Sequence, residues 1–172
     1  GKALFLDTPE PRLDQSSTFS AISELQMFME YFPASKRKTE AQQMIFELQD
    51  KLVMKDYLTA KLYYDLGTYT GNASYTADMR INGNNFLACI TTAQNALKDY
   101  PYTSMREDIS ILLLRAKHKL GSESVLEKKE ERMRETIDEY YAFKNEFPES
   151  KYMKEVEAIY KDASKYVKEL NE

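Results

Sequence analysis

The sequence predicts an all-α fold of stacked helical hairpins on three observations: a helix-forming composition, three segments that align on a proline, and apolar residues at matching offsets from those prolines. A chain of 172 residues that is 42% hydrophobic can bury one substantial core or a short array of repeats, which excludes a disordered segment. With 5 Gly, 5 Pro and no Trp beside many Lys, Glu, Leu, Ala, Met and Tyr, the composition favours helix. No run alternates Val, Ile and Thr as a strand would.

The three segments run from Ala21-Ile22 to Tyr31-Phe32-Pro33-Ala34-Ser35, from Cys89-Ile90 to Asp99-Tyr100-Pro101-Tyr102-Thr103, and from Thr136-Ile137 to Glu146-Phe147-Pro148-Glu149-Ser150. Eleven residues before each proline stands Ile22, Ile90 or Ile137, and five before it Phe28, Ala96 or Phe143. At eight, eleven and fifteen residues beyond it come Ala41, Met44 and Leu48, then Ile109, Leu112 and Ala116, then Val156, Ile159 and Ala163. One face of each helix therefore points inward. An ordinary bundle explains the helices but not this positional agreement.

Proline cannot donate to the helix ladder and biases the preceding residue away from helical geometry, so a helix must end at each of Pro33, Pro101 and Pro148. The hydroxyl two places on, Ser35, Thr103 or Ser150, is placed to cap the helix that follows, with Ser104 a competing cap in the second copy. Hairpins of this kind bury their apolar faces only by stacking, which is the tetratricopeptide architecture: a right-handed superhelix with an extended concave surface. About seven helices are expected, near 17–32, 36–53, 55–69, 85–100, 104–120, 124–147 and 151–170.

In the segment Lys55 to Thr70, Tyr63, Leu66 and Gly67 fall at the aromatic, Leu and Gly spacing of a tetratricopeptide first helix, the small Gly67 letting a partner helix approach closely. Gly67 and Pro101 are 34 residues apart, against about 24 in a standard repeat. An inserted loop is thus expected at about 69–84, rich in Gly and Asn. The domain organisation read from this is an irregular lead-in at 1–16, repeats over 17–120 carrying that loop, and a further helix pair over 121–172 that continues the array. Gly121, after Lys117, His118 and Lys119, reads as a glycine stop behind a cationic last turn. Lys128 to Arg134 reads as a solvated helix face, and Asn72-Ala73-Ser74 matches a glycosylation sequon that arises readily by chance.

The sequence carries no recognisable catalytic constellation. Both signs of charge are interspersed, the net charge is −4 and no basic block is present, so nucleic acid is not an expected partner. Cys89, the one cysteine, falls in register with Phe86, Ile90, Ala93 and Leu97 and reads as a buried, inert thiol. His118, the one histidine, sits among lysines and cannot form a metal site alone. Glu130, Glu131, Glu135, Asp138 and Glu139 are spaced along an outer helix face with Arg132 and Arg134 to pair with them. No phosphate-binding glycine loop, His-Glu-x-x-His or calcium loop is present, so no catalytic, cofactor-binding or metal residue is assigned. What remains is a polypeptide-binding surface. Tyrosine suits such a surface, and there are 13. Tyr100, Tyr140 and Tyr160 stand at repeat positions and are expected between helices. Tyr69, Tyr75, Met79 and Arg80 of the insertion and Tyr102 of the second turn are the candidate partner contacts.

The run Ala21-Ile22-Ser23-Glu24-Leu25 to Tyr31-Phe32-Pro33-Ala34-Ser35, continuing past Leu52 and Tyr57 into Ala60-Lys61-Leu62-Tyr63-Tyr64, resembles the BamD-like outer-membrane lipoproteins of the YfiO family. So does Leu97-Lys98-Asp99-Tyr100-Pro101-Tyr102-Thr103, which puts the resemblance at about Pro11 to Leu120. It implies a divergent C-terminal part of such a protein, beginning within the family's third repeat, on the periplasmic face of the outer membrane. It also implies a non-catalytic role, docking the periplasmic domains of a BamA-type barrel insertase, with other assembly-machine subunits as further protein partners. The chain starts Gly1-Lys2 and shows neither a signal segment nor the ~20 apolar residues of a membrane span, so any membrane attachment is expected through an upstream lipid anchor. The alternatives are an unrelated tetratricopeptide adaptor of periplasm or cytoplasm and, more distantly, a helical enzyme.

Overall fold

The computed structural model describes residues 1–68 and 84–167. Among them are seven α-helices and no strand: α1 (Lys2–Leu6), α2 (Ser16–Tyr31), α3 (Lys38–Leu66), α4 (Asn85–Asp99), α5 (Arg106–Ser122), α6 (Leu126–Glu146) and α7 (Met153–Ala163), followed by a 3-10 turn at Ser164–Tyr166. Each helix packs chiefly on its neighbours in sequence, with lesser α3–α5 and α5–α7 contacts, as expected of stacked hairpins.

The three proline turns are copies of one another. Phe32, Tyr100 and Phe147 close their helices at φ/ψ of −127/59°, −128/66° and −126/61°. Their amides donate to the carbonyls of Phe28, Ala96 and Phe143 at 3.0, 3.0 and 2.8 Å. Two residues past each proline the hydroxyl accepts from the amide two further on: Arg37 N–H to Ser35 at 3.2 Å, Met105 N–H to Thr103 at 3.2 Å, and Tyr152 N–H to Ser150 at 3.0 Å. The hydroxyl therefore caps a single turn that feeds the next helix, one step earlier than a cap on the helix itself. Pro33, Pro101 and Pro148 occupy one structural position.

The inward offsets hold in burial. Ile109, Leu112, Ala116, Val156, Ile159 and Ala163 are all buried, as are Ala41 and Leu48. Ile22, Phe28 and Met44, from the first copy, are only half-buried, and among the described residues it is the five-residue α1 that packs its Leu4 and Phe5 against this cluster. Helix α5 is the middle layer. Its Ile109, Leu112, Leu113, Ala116 and Leu120 pack toward α3 and α4, while Ile111 and Leu114 join Tyr140, Phe143, Val156 and Ile159 on the other side.

Three expectations are corrected. The stretches 36–53 and 55–69 form one helix, α3, because no Gly or Pro interrupts Lys51 to Asp56 and buried Leu52, Val53 and Ala60 run straight through the junction. The lead-in 1–16 is not wholly irregular: it contains α1, and Gln15, buried, donates to the carbonyls of Glu10 and Leu13 at 2.7 and 3.1 Å and accepts from Thr18 at 2.7 Å, folding the segment onto α2. Gly121 does not stop α5, which runs on to Ser122. A β-carbon there would lie 3.1 Å from the sulfur of buried Met133, so this glycine lets α6 approach closely. The glycine that does end a helix is Gly67, at φ +54°, where a side chain is strained. It is also tightly packed, its missing β-carbon falling 3.1 Å from the ring of Phe86 on α4.

Candidate functional site: the groove at the second turn

The site is built on Asp50, in the middle of α3. Its carboxylate accepts from the Thr103 hydroxyl at 2.7 Å, the Ser104 hydroxyl at 2.6 Å and the Ser104 amide at 3.3 Å. Three donors on one carboxylate pin the second proline turn against α3, so that Ser104 serves this anchor rather than competing with Thr103 as a cap. The pinned turn holds Tyr102 out in solvent at 89% exposure, facing Phe46 of α3, itself 45% exposed. Phe46 is off the inward register of α3, and Tyr102 follows a proline that fixes its approach.

Between α2, α3 and this turn lies a groove of about 630 Å³, with Met29, Phe46 and Tyr102 as its apolar walls and Gln26, Gln42 and Gln49 as its amides. A smaller cavity of about 230 Å³ shares Phe46, Gln49 and Tyr102 and extends it to Asp99 and Tyr100. That end is electronegative. Burial, reinforced by the charge of Asp99, raises the pKa of Asp56 above the usual carboxylate value. The Tyr100 hydroxyl is pushed up by burial and then by Asp56 and Asp99. Exposed aromatic and apolar surface with side-chain amides and an acidic end is suited to holding polypeptide.

Of the candidate contacts, Tyr102 is in this groove, whereas Tyr69, Tyr75, Met79 and Arg80 lie outside the described residues. Asn84, at the edge of the expected insertion, caps α4 by accepting from the Phe86 amide at 2.9 Å. Phe46 and Asp50 escaped the sequence reading. An aromatic residue off the inward register could have flagged Phe46, but nothing marks Asp50, whose partners are 53 and 54 residues away.

The groups weighed for catalysis are dispersed. Cys89 is fully buried, and burial pushes its thiol up to about 12, leaving no thiolate at neutral pH. His118 Nε2 is 2.9 Å from Asp162 Oδ2, a pairing across α5 and α7 rather than with the cysteine. Among the described residues no group of three or more His, Cys, Asp or Glu could hold a metal ion, and no helix is long and apolar enough to cross a membrane. Tyr100, Tyr140 and Tyr160 sit between helices as expected, with Tyr140 and Tyr160 stacked at 4.3 Å.

Three superposable proline turns, stacked hairpins and a core that passes from one hairpin to the next define a tetratricopeptide-like repeat protein. A family model described as YfiO, outer membrane lipoprotein, matches residues 3–82. The BamD-like resemblance is borne out over that stretch. The match takes in α1, ahead of Pro11, and stops short of the similar run at Leu97–Thr103. No curated protein matches the chain.

Proposed function

We propose that the chain is a non-catalytic scaffold of the outer-membrane β-barrel assembly machinery, acting on the periplasmic side and docking the periplasmic domains of a BamA-type barrel insertase. The observation that carries this reading is the match of α1, α2 and the whole of α3 to an outer membrane lipoprotein family, in a repeat architecture suited to holding other proteins. Tyr102 and Phe46 supply the docking groove, and Tyr69, Tyr75, Met79 and Arg80 are proposed to contribute from the insertion. Attachment to the membrane is through a lipid anchor on the full-length protein.

The test is capture of the full-length protein from its native outer membrane, followed by identification of what stays bound. A barrel insertase among the bound proteins supports the role. Some other reproducible partner in its place overturns it and leaves a repeat adaptor. If the insertase is recovered, Phe46→Ala with Tyr102→Ala should reduce its capture, and so should Tyr75→Ala with Arg80→Ala; capture undiminished by either pair removes that pair from the interface.

A further inference from the structure

The smaller cavity at the second turn is where the charge of the groove is unbalanced. The rings of Phe46, Tyr100 and Tyr102 line it together with the carboxylates of Asp50 and Asp99, and none of its lining residues is a cation. Asp50 meets only hydroxyl and amide donors. The Asp99 side chain, at the exposed end of α4, has no hydrogen bond or ion pair among the described residues, neither with Lys98 beside it in sequence nor with any other group. The cations that adjoin these carboxylates in sequence or reach the turn are engaged elsewhere. Lys51 holds Thr8 Oγ1 at 2.6 Å, Lys55 holds the Leu13 carbonyl at 3.1 Å, and Arg106 is paired with Glu146. Lys55 does lower the pKa of Asp56, but by less than Asp99 raises it. The Tyr100 hydroxyl senses the same imbalance: after burial, Asp56 and Asp99 push it up and no cation pulls it down. The larger groove alongside carries one charge of each sign, Glu30 and Lys38, so the excess is confined to this end.

We infer that this cavity receives an arginine side chain of the docked partner. A volume of about 230 Å³ is room for a side chain and not for a helix, which is about 10 Å across. Aromatic faces attract cations, and a planar guanidinium stacks on them while its hydrogen-bonding edge stays free. That edge meets Asp99, whose two oxygens are unclaimed and suit a bidentate pair. Asp50 contributes charge only, since its oxygens are already turned to Thr103 and Ser104. A lysine ammonium has neither the flat face nor the fork, so the site favours arginine over lysine. The inference rests on the reading of this groove as the docking site and adds what the partner presents there; it does not depend on which protein docks.

The probe is a short acetylated and amidated peptide with one arginine between two leucines; its controls carry citrulline, the neutral isostere, or lysine in that place. Titrated into the isotope-labelled whole chain and read by amide chemical shifts, the arginine peptide should give saturable changes at Phe46, Gln49, Tyr102 and Thr103. The citrulline peptide should bind about tenfold more weakly or worse, the lysine peptide more weakly than arginine, and salt should weaken the arginine peptide. Asp99→Asn should abolish the preference for arginine over citrulline. Asp99 is exposed, and a carboxylate in the last turn of a helix opposes the helix dipole, so this variant should keep its fold. Tyr102→Ala, at a position 89% exposed, should weaken the arginine peptide as well, whereas Leu62→Gln, exposed and outside the cavity, should change nothing. Equal binding of the arginine and citrulline peptides, a preference that survives Asp99→Asn, or no saturable change at these residues up to millimolar peptide overturns the inference. Lysine binding as tightly as arginine overturns the choice of arginine. Insertase capture that is undiminished in Asp99→Asn counts against the cavity alone, whereas arginine-selective binding by a chain that captures no insertase leaves the cavity standing and sinks the barrel-assembly role.

Discussion

Replacing Gly121 by alanine tests how the C-terminal hairpin is attached. In an exposed helix interior the change would stabilise by up to about 1 kcal/mol, the difference in helix propensity. Here the added methyl would stand 3.1 Å from Met133 Sδ, 3.4 Å from its Cε and 3.5 Å from its Cγ. Met133 is fully buried in the cluster it shares with Ile137, Ala163 and Val167, so it has little room to yield. Overpacking of this kind costs about 1–3 kcal/mol, which leaves a net destabilisation of about 0–2 kcal/mol. The coupling is the sharper quantity. In a Met133→Ala background, itself weaker by about 2–5 kcal/mol, the obstacle is gone and Gly121→Ala should become neutral or favourable. A double-mutant cycle by urea denaturation should therefore give a coupling energy of about 1–3 kcal/mol between the two positions. Additivity within about 0.5 kcal/mol would refute the close approach of α5 and α6 at Gly121.

Other outcomes follow from the same packing. Leu112→Ala should cost about 2–5 kcal/mol, whereas Met44→Ala, at the equivalent offset but half-buried, should cost clearly less; equal losses in chemical denaturation would contradict the looser packing at Met44. Asp50→Ala should destabilise by about 1–2 kcal/mol through the loss of its bonds to Thr103 and Ser104, and it should speed hydrogen exchange of the Ser104 amide; unchanged exchange would mean the turn is held by something else. Asp56→Asn should raise the thermal midpoint at neutral pH. Its folded pKa is raised, chiefly by burial, so ionisation works against folding there, and a lowered midpoint would reverse that assignment. Glu155 and Asp162 shift the other way, held below their usual values of 4.5 and 3.8 first by bonds to Arg115 and to His118. Their contribution is present above those values and is lost as pH falls below them, so Glu155→Gln with Asp162→Asn should flatten the loss of stability between about pH 5 and pH 3; an unchanged acid profile would place the sensitivity elsewhere.

The repeat was legible because it is written in local rules. Pro33, Pro101 and Pro148 each end a helix for a reason contained in one residue, and the apolar offsets that follow are dictated by helical period alone. The inner boundaries were less legible. A helix continues until something stops it, and between Met54 and Lys55 nothing does, so α3 could be divided only by assuming a standard repeat length. Gly121 misled because a glycine after a cationic turn satisfies the rule for a C-terminus, while the reason for this one, the sulfur of Met133 twelve residues on, is tertiary. The groove was half legible. Tyr102 announces itself by following a proline, but the carboxylate that aims the turn lies on a helix 53 residues earlier, and pairing at that distance leaves no local trace.

The position of α5 sets how damage should spread. In a one-dimensional array each hairpin is stabilised only by its neighbours, and six successive residues of α5, Ile109 to Leu114, are buried against helices on both sides. The α6–α7 hairpin is attached to it by the Ile111 and Leu114 contacts and by ion pairs from Arg106 to Glu146, Arg115 to Glu155 at 2.6 Å and Lys117 to Glu139 at 2.6 Å. A substitution within α6 or α7, such as Ile137→Ala, should therefore fray the C-terminal end and leave the Phe46 and Tyr102 groove intact. Leu114→Ala should release the same hairpin from the inside, and Leu112→Ala should loosen α5 from α3 and α4 and so disturb the pinned turn as well. Hydrogen exchange at Ser104 separates these cases: it should respond to Leu112→Ala and not to Ile137→Ala. An equal response to both would mean that the chain unfolds as a single unit, and that the C-terminal hairpin bears on the groove as directly as the helices that line it.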